Sequence, residues 1–466
     1  MTEPAARTVY PYIPNSVPAI KAEMLTEVGA ATTDELYDVI PASIRLDRLL
    51  NLPEPLLSEY DLRRHVEGLL ASNRPTSEVL SFLGGGCWPH FVPAVCDEIA
   101  SRGEFLTAYH DGERSMLGSY QAQFEFQSMI GELTGMQMVS TTTYDWGTSV
   151  ASSLIMAAQV TGRNEVLLPR TISPTRLRQV RTICGPTMSI RLIDYERGRG
   201  TLDISALQAA LSTDTAAVYI EVPSYLGFLE PRAPQIAELA HANGALFVVG
   251  VDPSSLGVLT GPGTYGADIV CGDLQPLGIH MSYGGGQAGF IATPHEERYI
   301  ATCPTLLVSI VPTEHAGEYV FEWVNFEHIS YGLRAESHDF AGTAQTIWAI
   351  VAGVYLSLMG PQGMRELGET IMQRGAYARS RLADVAKVVT PVFDAPHFKE
   401  FVVNYDRSSL SVAEINGALR ARGIYGGKDL TAEFSELGKS ALFCVTEIHR
   451  RDDIDRLADA LAEVLR

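Results

Sequence analysis

No lysine occurs between Lys21 and Lys387 of this 466-residue chain. A lysine amine is the group that holds an aldehyde cofactor as a Schiff base, so the long middle segment has no side chain for that task. Positive charge is scarce overall: 35 basic against 55 acidic residues leave a formal charge of -20. Such a surface repels phosphate backbones and anionic lipid over about a Debye length, which argues against nucleic acid or a membrane surface as partner. The six cysteines (Cys87, Cys96, Cys184, Cys271, Cys303, Cys444) form no C-x-x-C pair. They read as small buried apolar side chains of a protein in the reducing cytoplasm rather than as a zinc or redox site. The first thirteen residues lack the charged start and apolar core of a secretion signal. The one membrane-length run, Phe340 to Met359, is interrupted by Thr343, Gln345, Thr346 and Ser357 and stopped by Gly360-Pro361. That pattern fits a buried helix rather than a span. There is no internal repeat and no low-complexity stretch.

What is present is enough apolar material, 46% of the residues, for a large core in two or three domains. Residues 1–75 alternate Pro-containing turns with short amphipathic pieces, which reads as a helical arm in need of another surface. Residues 76–335 read as an α/β domain. Its predicted strands (Glu165 to Leu168, Ser189 to Asp194, Ala216 to Val222, Ala245 to Val251) are apolar throughout and spaced by amphipathic helices, the pattern of a largely parallel sheet covered on both faces. Phe290 to Thr293 adds a short strand, and His295 to Asp339 reads as irregular. Residues 336–386 read as linking helices, Phe340 to Met359 and Gly363 to about Val385. Residues 387–466 read as a small α+β domain with strands Lys387 to Phe393, Phe401 to Tyr405 and Ala441 to Thr446.

The motifs narrow this further. In order along the chain stand Tyr12-Ile13-Pro14, Asp38-Val39-Ile40-Pro41, Ser81-Phe82-Leu83-Gly84-Gly85-Gly86 with His90 and Pro93, and Glu104-Phe105-Leu106-Thr107-Ala108-Tyr109. Phe124-Glu125-Phe126-Gln127, Glu132-Leu133-Thr134-Gly135-Met136 and Tyr144-Asp145 follow. The strongest are Val251-Asp252-Pro253-Ser254-Ser255-Leu256-Gly257, Tyr265-Gly266-Ala267-Asp268-Ile269-Val270 and Gly272-Asp273-Leu274-Gln275-Pro276-Leu277-Gly278. Over nearly its whole length the chain resembles the glycine dehydrogenase (decarboxylating) P-proteins, and among them the α subunits, or subunit 1, of the two-subunit form.

That resemblance implies the fold type I pyridoxal-phosphate (aminotransferase-like) architecture: a three-layer large domain followed by a small α+β domain. It implies the α half of a glycine decarboxylase of the glycine cleavage system, a cytoplasmic heterotetramer. A lysine-bearing β subunit would carry pyridoxal phosphate, decarboxylate glycine and pass the aminomethyl group to the lipoyl arm of the H-protein. This chain would carry no catalytic residue of its own and would shape that site across the interface. The residues expected to do so are His90, Tyr109, Glu113, Glu327, His328 and Arg334. Tyr144, Asp145, Asp252, Gln275 and His280 stand at cofactor-like positions. In the catalytic paralogue an Asp at a strand end pairs with the cofactor ring nitrogen, and Asp252 stands at the matching strand end. An Asp before Pro also caps a turn, and both readings stay open. The β subunit's His-Lys pair is replaced here by Gln275 to Gly278.

Several loops depart from the family pattern. Trp88 replaces a usual tyrosine, Pro89 precedes His90, His110 to Arg114 replace another loop, and Phe326 to Ser337 keep only Glu327, His328 and Ile329 of a longer motif. Two further readings follow: a divergent paralogue acting on another amino acid, or a non-catalytic scaffold. Other constellations carry less. The run Gly284 to Gly289 satisfies G-x-G-x-x-G but leads into a strand instead of opening a helix, which rejects a dinucleotide site. No metal site is expected, because His315, Glu314, Glu318, Glu327 and His328 lack helical ligand spacing. Cys87 and His90 read as loop packing rather than as nucleophile and base.

Overall fold

Strands without a polar face must be covered on both sides, and the computed structural model of the protein covers the central ones, whereas the strand at Ser189–Ile193 lies at the sheet edge and exposes Ser189 and Arg191. The structure describes residues 17–48, 50–106, 117–324, 326–330, 337, 339, 341 and 344–466. The chain divides into two compact units, Met1–Arg74 and Pro75–Arg466. In the first, helices Pro18–Glu27 and Glu59–Leu70 bury none of their residues, and Val39, Ile44, Leu57 and Tyr60 stand exposed.

The second unit begins with β1 (Leu80–Ser81) and β2 (Met138–Val139). It continues with β3 (Glu165–Pro169), β4 (Ser189–Ile193), β5 (Thr215–Val222), β6 (Leu246–Val251), β7 (Ile269–Asp273) and β8 (Gly289–Thr293). The main sheet has the order β2-β8-β7-β6-β5-β3-β4. The five strands from β7 to β4 run parallel, while β8 is antiparallel to both β7 and β2. Alternation explains the three layers. Val218, Ile220, Phe247 and Val249 enter one core with helices Leu117–Thr134 and Ala233–Ala242. Ala217, Tyr219, Leu246 and Val248 enter a second core with helices Trp146–Thr161 and Pro174–Cys184. This is the fold type I three-layer α/β architecture expected.

Beyond it come β9 (Val308–Pro312), β10 (Tyr319–Trp323), β11 (Glu400–Asn404), β12 (Ile424–Tyr425), β13 (Lys428–Asp429) and β14 (Ser440–Cys444). The small sheet is β11-β14-β13, backed by helices Val412–Ala421 and Arg451–Val464 around a third core. The short β1 pairs with β12, so the glycine-rich loop that follows β1 starts on the small domain.

Three expectations are corrected. His295 to Asp339 contains the antiparallel hairpin β9-β10, whose strands are only partly buried and therefore lack the all-apolar signature of the main sheet. Lys387 to Phe393 is no strand: Lys387 takes φ 68°, Pro391 offers no ladder N–H, and a single bridge joins Val389 to Asn404. The apolar helix starts at Thr346 instead of Phe340 and runs to Ala383 with a break at Gly360, φ 60° and ψ 179°. Among the described residues it is the one helix long and apolar enough to cross a membrane. Its apolar half instead buries Ala349, Val351 and Tyr355 in the first core.

Candidate functional site

Parallel strands bring their carboxyl ends to one edge of the sheet, where ligands of open α/β sheets sit. Here β6 runs out at Val251 and the next residue is Asp252, buried, capping the turn Pro253–Gly257. Its Oδ1 accepts from the Ser254 N–H at 3.0 Å and the Ser254 hydroxyl at 2.7 Å. The other oxygen meets a lysine. Lys399, at the entry to β11, is buried, and its Nζ lies 2.6 Å from Asp252 Oδ2. The same ammonium donates to His90 Nε2 at 2.7 Å and stands 4.2 Å from the centre of the Trp88 ring.

An ammonium has only donors, so His90 Nε2 must accept and its proton must sit on Nδ1. That Nδ1–H points at Glu447 Oε2, 2.8 Å away, while Glu447 Oε1 accepts from the Phe91 N–H at 2.7 Å. Burial works against the Glu447 charge, but His90 and the Phe91 N–H outweigh it and bring the carboxyl to about 2. The chain Asp252–Lys399–His90–Glu447 thus runs from carboxylate through ammonium and neutral imidazole to carboxylate, each group hydrogen-bonded to the next.

The walls are as full as the floor. Arg176 is buried in a bidentate pair with Glu221, 2.7 and 2.8 Å, and its guanidinium lies 3.9 Å from the centre of the Trp146 ring. Glu400 accepts from the Gly85 N–H at 2.6 Å, and burial pushes its carboxyl up to about 7. A Cβ at Gly84 would collide with Glu400 Oε1 and come within 2.7 Å of Cys444 Cβ, so the loop bearing Trp88 and His90 can approach only as glycine. At the start of helix Trp146–Thr161 the Asp145 carboxylate fills the anion position: Oδ1 accepts from the Thr148 N–H at 2.7 Å and Oδ2 from Gln179 Nε2 at 2.5 Å. Between Trp88, Trp146, Arg176, Tyr225, Asp252 and Lys399 a void of about 10 Å³ is left.

The sequence-predicted residues scatter around this centre. His90, Asp145, Asp252 and Gln275 come together. Gln275 clamps the glycine-rich loop, accepting from the Trp88 N–H at 3.0 Å and donating to the Trp88 and Ile279 carbonyls at 3.1 and 3.0 Å. Tyr144 stays outside, half exposed, and His280 pairs at the surface with Asp97 at 2.9 Å. Glu327 and His328 line a different cavity, about 860 Å³, between helix Leu117–Thr134 and the segment around β9, remote from Asp252. That cavity is the larger one, but it gathers no chain of charged groups like the one at Asp252. Tyr109, Glu113 and Arg334 lie outside the described residues. Cys87 is held back from chemistry, its thiol pushed up to about 11 by burial and by Asp273. No cluster able to hold a metal occurs among the described residues. Sequence reasoning missed Lys399, Trp146, Arg176 and Glu221. The available signal for the first was a charged pair, Lys399-Glu400, set inside an otherwise apolar strand.

The family profile described as Glycine cleavage system P-protein matches residues 11–461. The chain belongs to this family. A probable glycine dehydrogenase (decarboxylating) subunit 1 of Staphylothermus marinus is 36% identical over 466 residues, 98% of each chain. The corresponding protein of Thermococcus kodakarensis is 37% identical over 457 residues, covering 97% of this chain and 98% of its own. Among solved structures, a glycine decarboxylase (P-protein) of the glycine cleavage system in inhibitor-bound form aligns with TM-score 0.85 and 33% identity over 98% of this chain and 100% of its own. A Burkholderia pseudomallei sphingosine-1-phosphate lyase, at TM-score 0.63 and 13% identity, shares the fold alone.

Pyridoxal phosphate, the cofactor that the resemblance implies, fits here poorly. The place beside Asp252 where the resemblance would put the ring is taken by Lys399 and Trp88, the helix N-terminus by Asp145, and the void of about 10 Å³ is at the lower limit for one water.

Proposed function

We propose that this chain is the α subunit of a glycine decarboxylase: it completes, from across an interface, the active site of a lysine-bearing partner that carries the pyridoxal phosphate. The observation that carries this is the end-to-end match to proteins named glycine dehydrogenase subunit 1, combined with a pocket whose cofactor positions are held by the chain's own side chains. The division of labour follows: covalent chemistry on the partner, and shape and exclusion of water from this chain. A lipoyl carrier, the H-protein, is the acceptor such a reaction requires, and the cytoplasm suits six free thiols. The contacting elements on this side are the arm at 1–75, with its exposed Val39, Ile44 and Leu57, and the segment after Leu106 carrying Tyr109 and Glu113. Glu327, His328 and Arg334 are the remaining shaping candidates.

A substrate other than glycine is argued mainly by the altered loops, and one alteration finds another explanation. Trp88 is buried against Lys399, so its exchange for tyrosine concerns the filled pocket rather than a substrate. The test is co-expression with a lysine-bearing homologue, measuring copurification, bound pyridoxal phosphate and exchange of carbon dioxide with the glycine carboxyl. Exchange only when both chains are present is the expected result. A cofactor-bearing complex inert to glycine would shift the assignment to another amino acid, and failure to form a complex would leave the scaffold reading.

A further inference from the structure

We propose that Lys399 is an internal surrogate for the cofactor's protonated ring nitrogen: its ammonium occupies the Asp252 end of the pocket, which is thereby a site for a primary alkylammonium cation that the chain supplies to itself. Three observations support this. The cation is matched on its far side by Asp252 Oδ2 at 2.6 Å, on its near side by an acceptor, His90 Nε2 at 2.7 Å, and on its flank by the Trp88 ring at 4.2 Å. Carboxylate, acceptor and aromatic face are the complement of a desolvated R–NH₃⁺, as a recognition site for an amine would present them. The backbone that carries it is held as well. The Lys399 carbonyl accepts from the Val445 N–H at 2.8 Å, the preceding Phe398 N–H donates to the Gly227 carbonyl at 3.1 Å, and the Phe398 side chain is buried in the first core.

The surrogate also ties the molecule together. Asp252 belongs to the large sheet, Lys399 and Glu447 flank the small sheet, and His90 rides on the glycine-rich loop, so one buried chain of four groups spans all three. An external cofactor would have to expel Lys399 and leave it buried without Asp252. Breaking a buried pair in this way is strongly unfavourable, and the pocket is closed by charge before it is closed by volume.

The test uses the full-length chain and does not depend on its substrate, so it can fail while the co-expression experiment succeeds, or the reverse. Lys399→Ala is expected to lower Tm by about 5 °C, as removal of one member of a buried pair does. In that variant n-butylammonium chloride should raise Tm in a saturable manner, whereas butanol and tetramethylammonium chloride should not, and none of the three should shift the wild type. Lys399→Met, which fills the space without charge, serves if the alanine variant does not fold: it should be destabilised, and its loss should largely vanish when combined with Asp252→Asn. The wild type should take up no pyridoxal phosphate by absorbance. Stoichiometric uptake by the wild type, a Lys399→Ala protein as stable as wild type and indifferent to butylammonium, or no coupling between the Met and Asn substitutions would each overturn the proposal.

Discussion

Asp252 shows what a single residue can and cannot reveal in a sequence. Its place at the end of an all-apolar strand, before Pro253, was legible, and the capping reading holds: one carboxylate oxygen holds the turn, while the other meets the Lys399 ammonium. The partner was not legible, because the two residues stand far apart in the chain and meet only through the approach of the small domain. Gln275 was read as the mark of a missing lysine, and its clamp on Trp88 depends on loop geometry that no local pattern encodes. Glu400 makes a prediction at this scale. Burial raises its carboxyl from the usual 4.5 to about 7, so the folded state retains a proton that the unfolded chain has lost. That penalty is absent at low pH and grows as pH rises from about 4.5 through about 7. Glu400→Gln, which keeps an acceptor for the Gly85 N–H, should therefore be close to neutral near pH 4 and stabilising by about 1–3 kcal/mol near pH 8 in denaturant titrations. An effect equal at both pH values would rule out the buried titration.

At the scale of elements, the central parallel strands were legible because both faces are buried and nearly every position is apolar, with Thr215 and Glu221 the exceptions. The hairpin β9-β10 was not, since its half-exposed faces admit Ser309, Glu322 and a polar connection that read as loop. The long helix was read as two pieces, and Gly360 justifies the division: φ 60° with ψ 179° is a conformation that essentially only glycine adopts. A Cβ there would meet no atom within 4 Å. Gly360→Ala should consequently cost about 1–3 kcal/mol through backbone strain alone, with the m-value unchanged. A neutral result would mean that the break relaxes into continuous helix. Gly84→Ala belongs to another class, because there the collision is with Glu400 and Cys444 across the site.

At the scale of the whole molecule, the segment up to Arg74 and the unit Pro75–Arg466 differ in what they bury. The second has its own cores, while the first leaves the apolar side chains of both its helices in solvent. A chain starting at Pro75 should thus unfold cooperatively within about 2 °C of the full-length protein, yet fail to copurify with the partner that the full chain retains. Copurification at full yield would remove the arm from the interface. The buried charge chain carries a consequence on a longer timescale than any of these measurements. Fitting a cofactor into this pocket by single substitutions would mean passing through proteins in which Asp252, His90 or Lys399 is stranded without its counterpart, each less stable than the start and end points alike. On the assignment proposed above, a lineage in this state would be held there by a fitness valley, and its dependence on a second gene for catalysis would be hard to reverse.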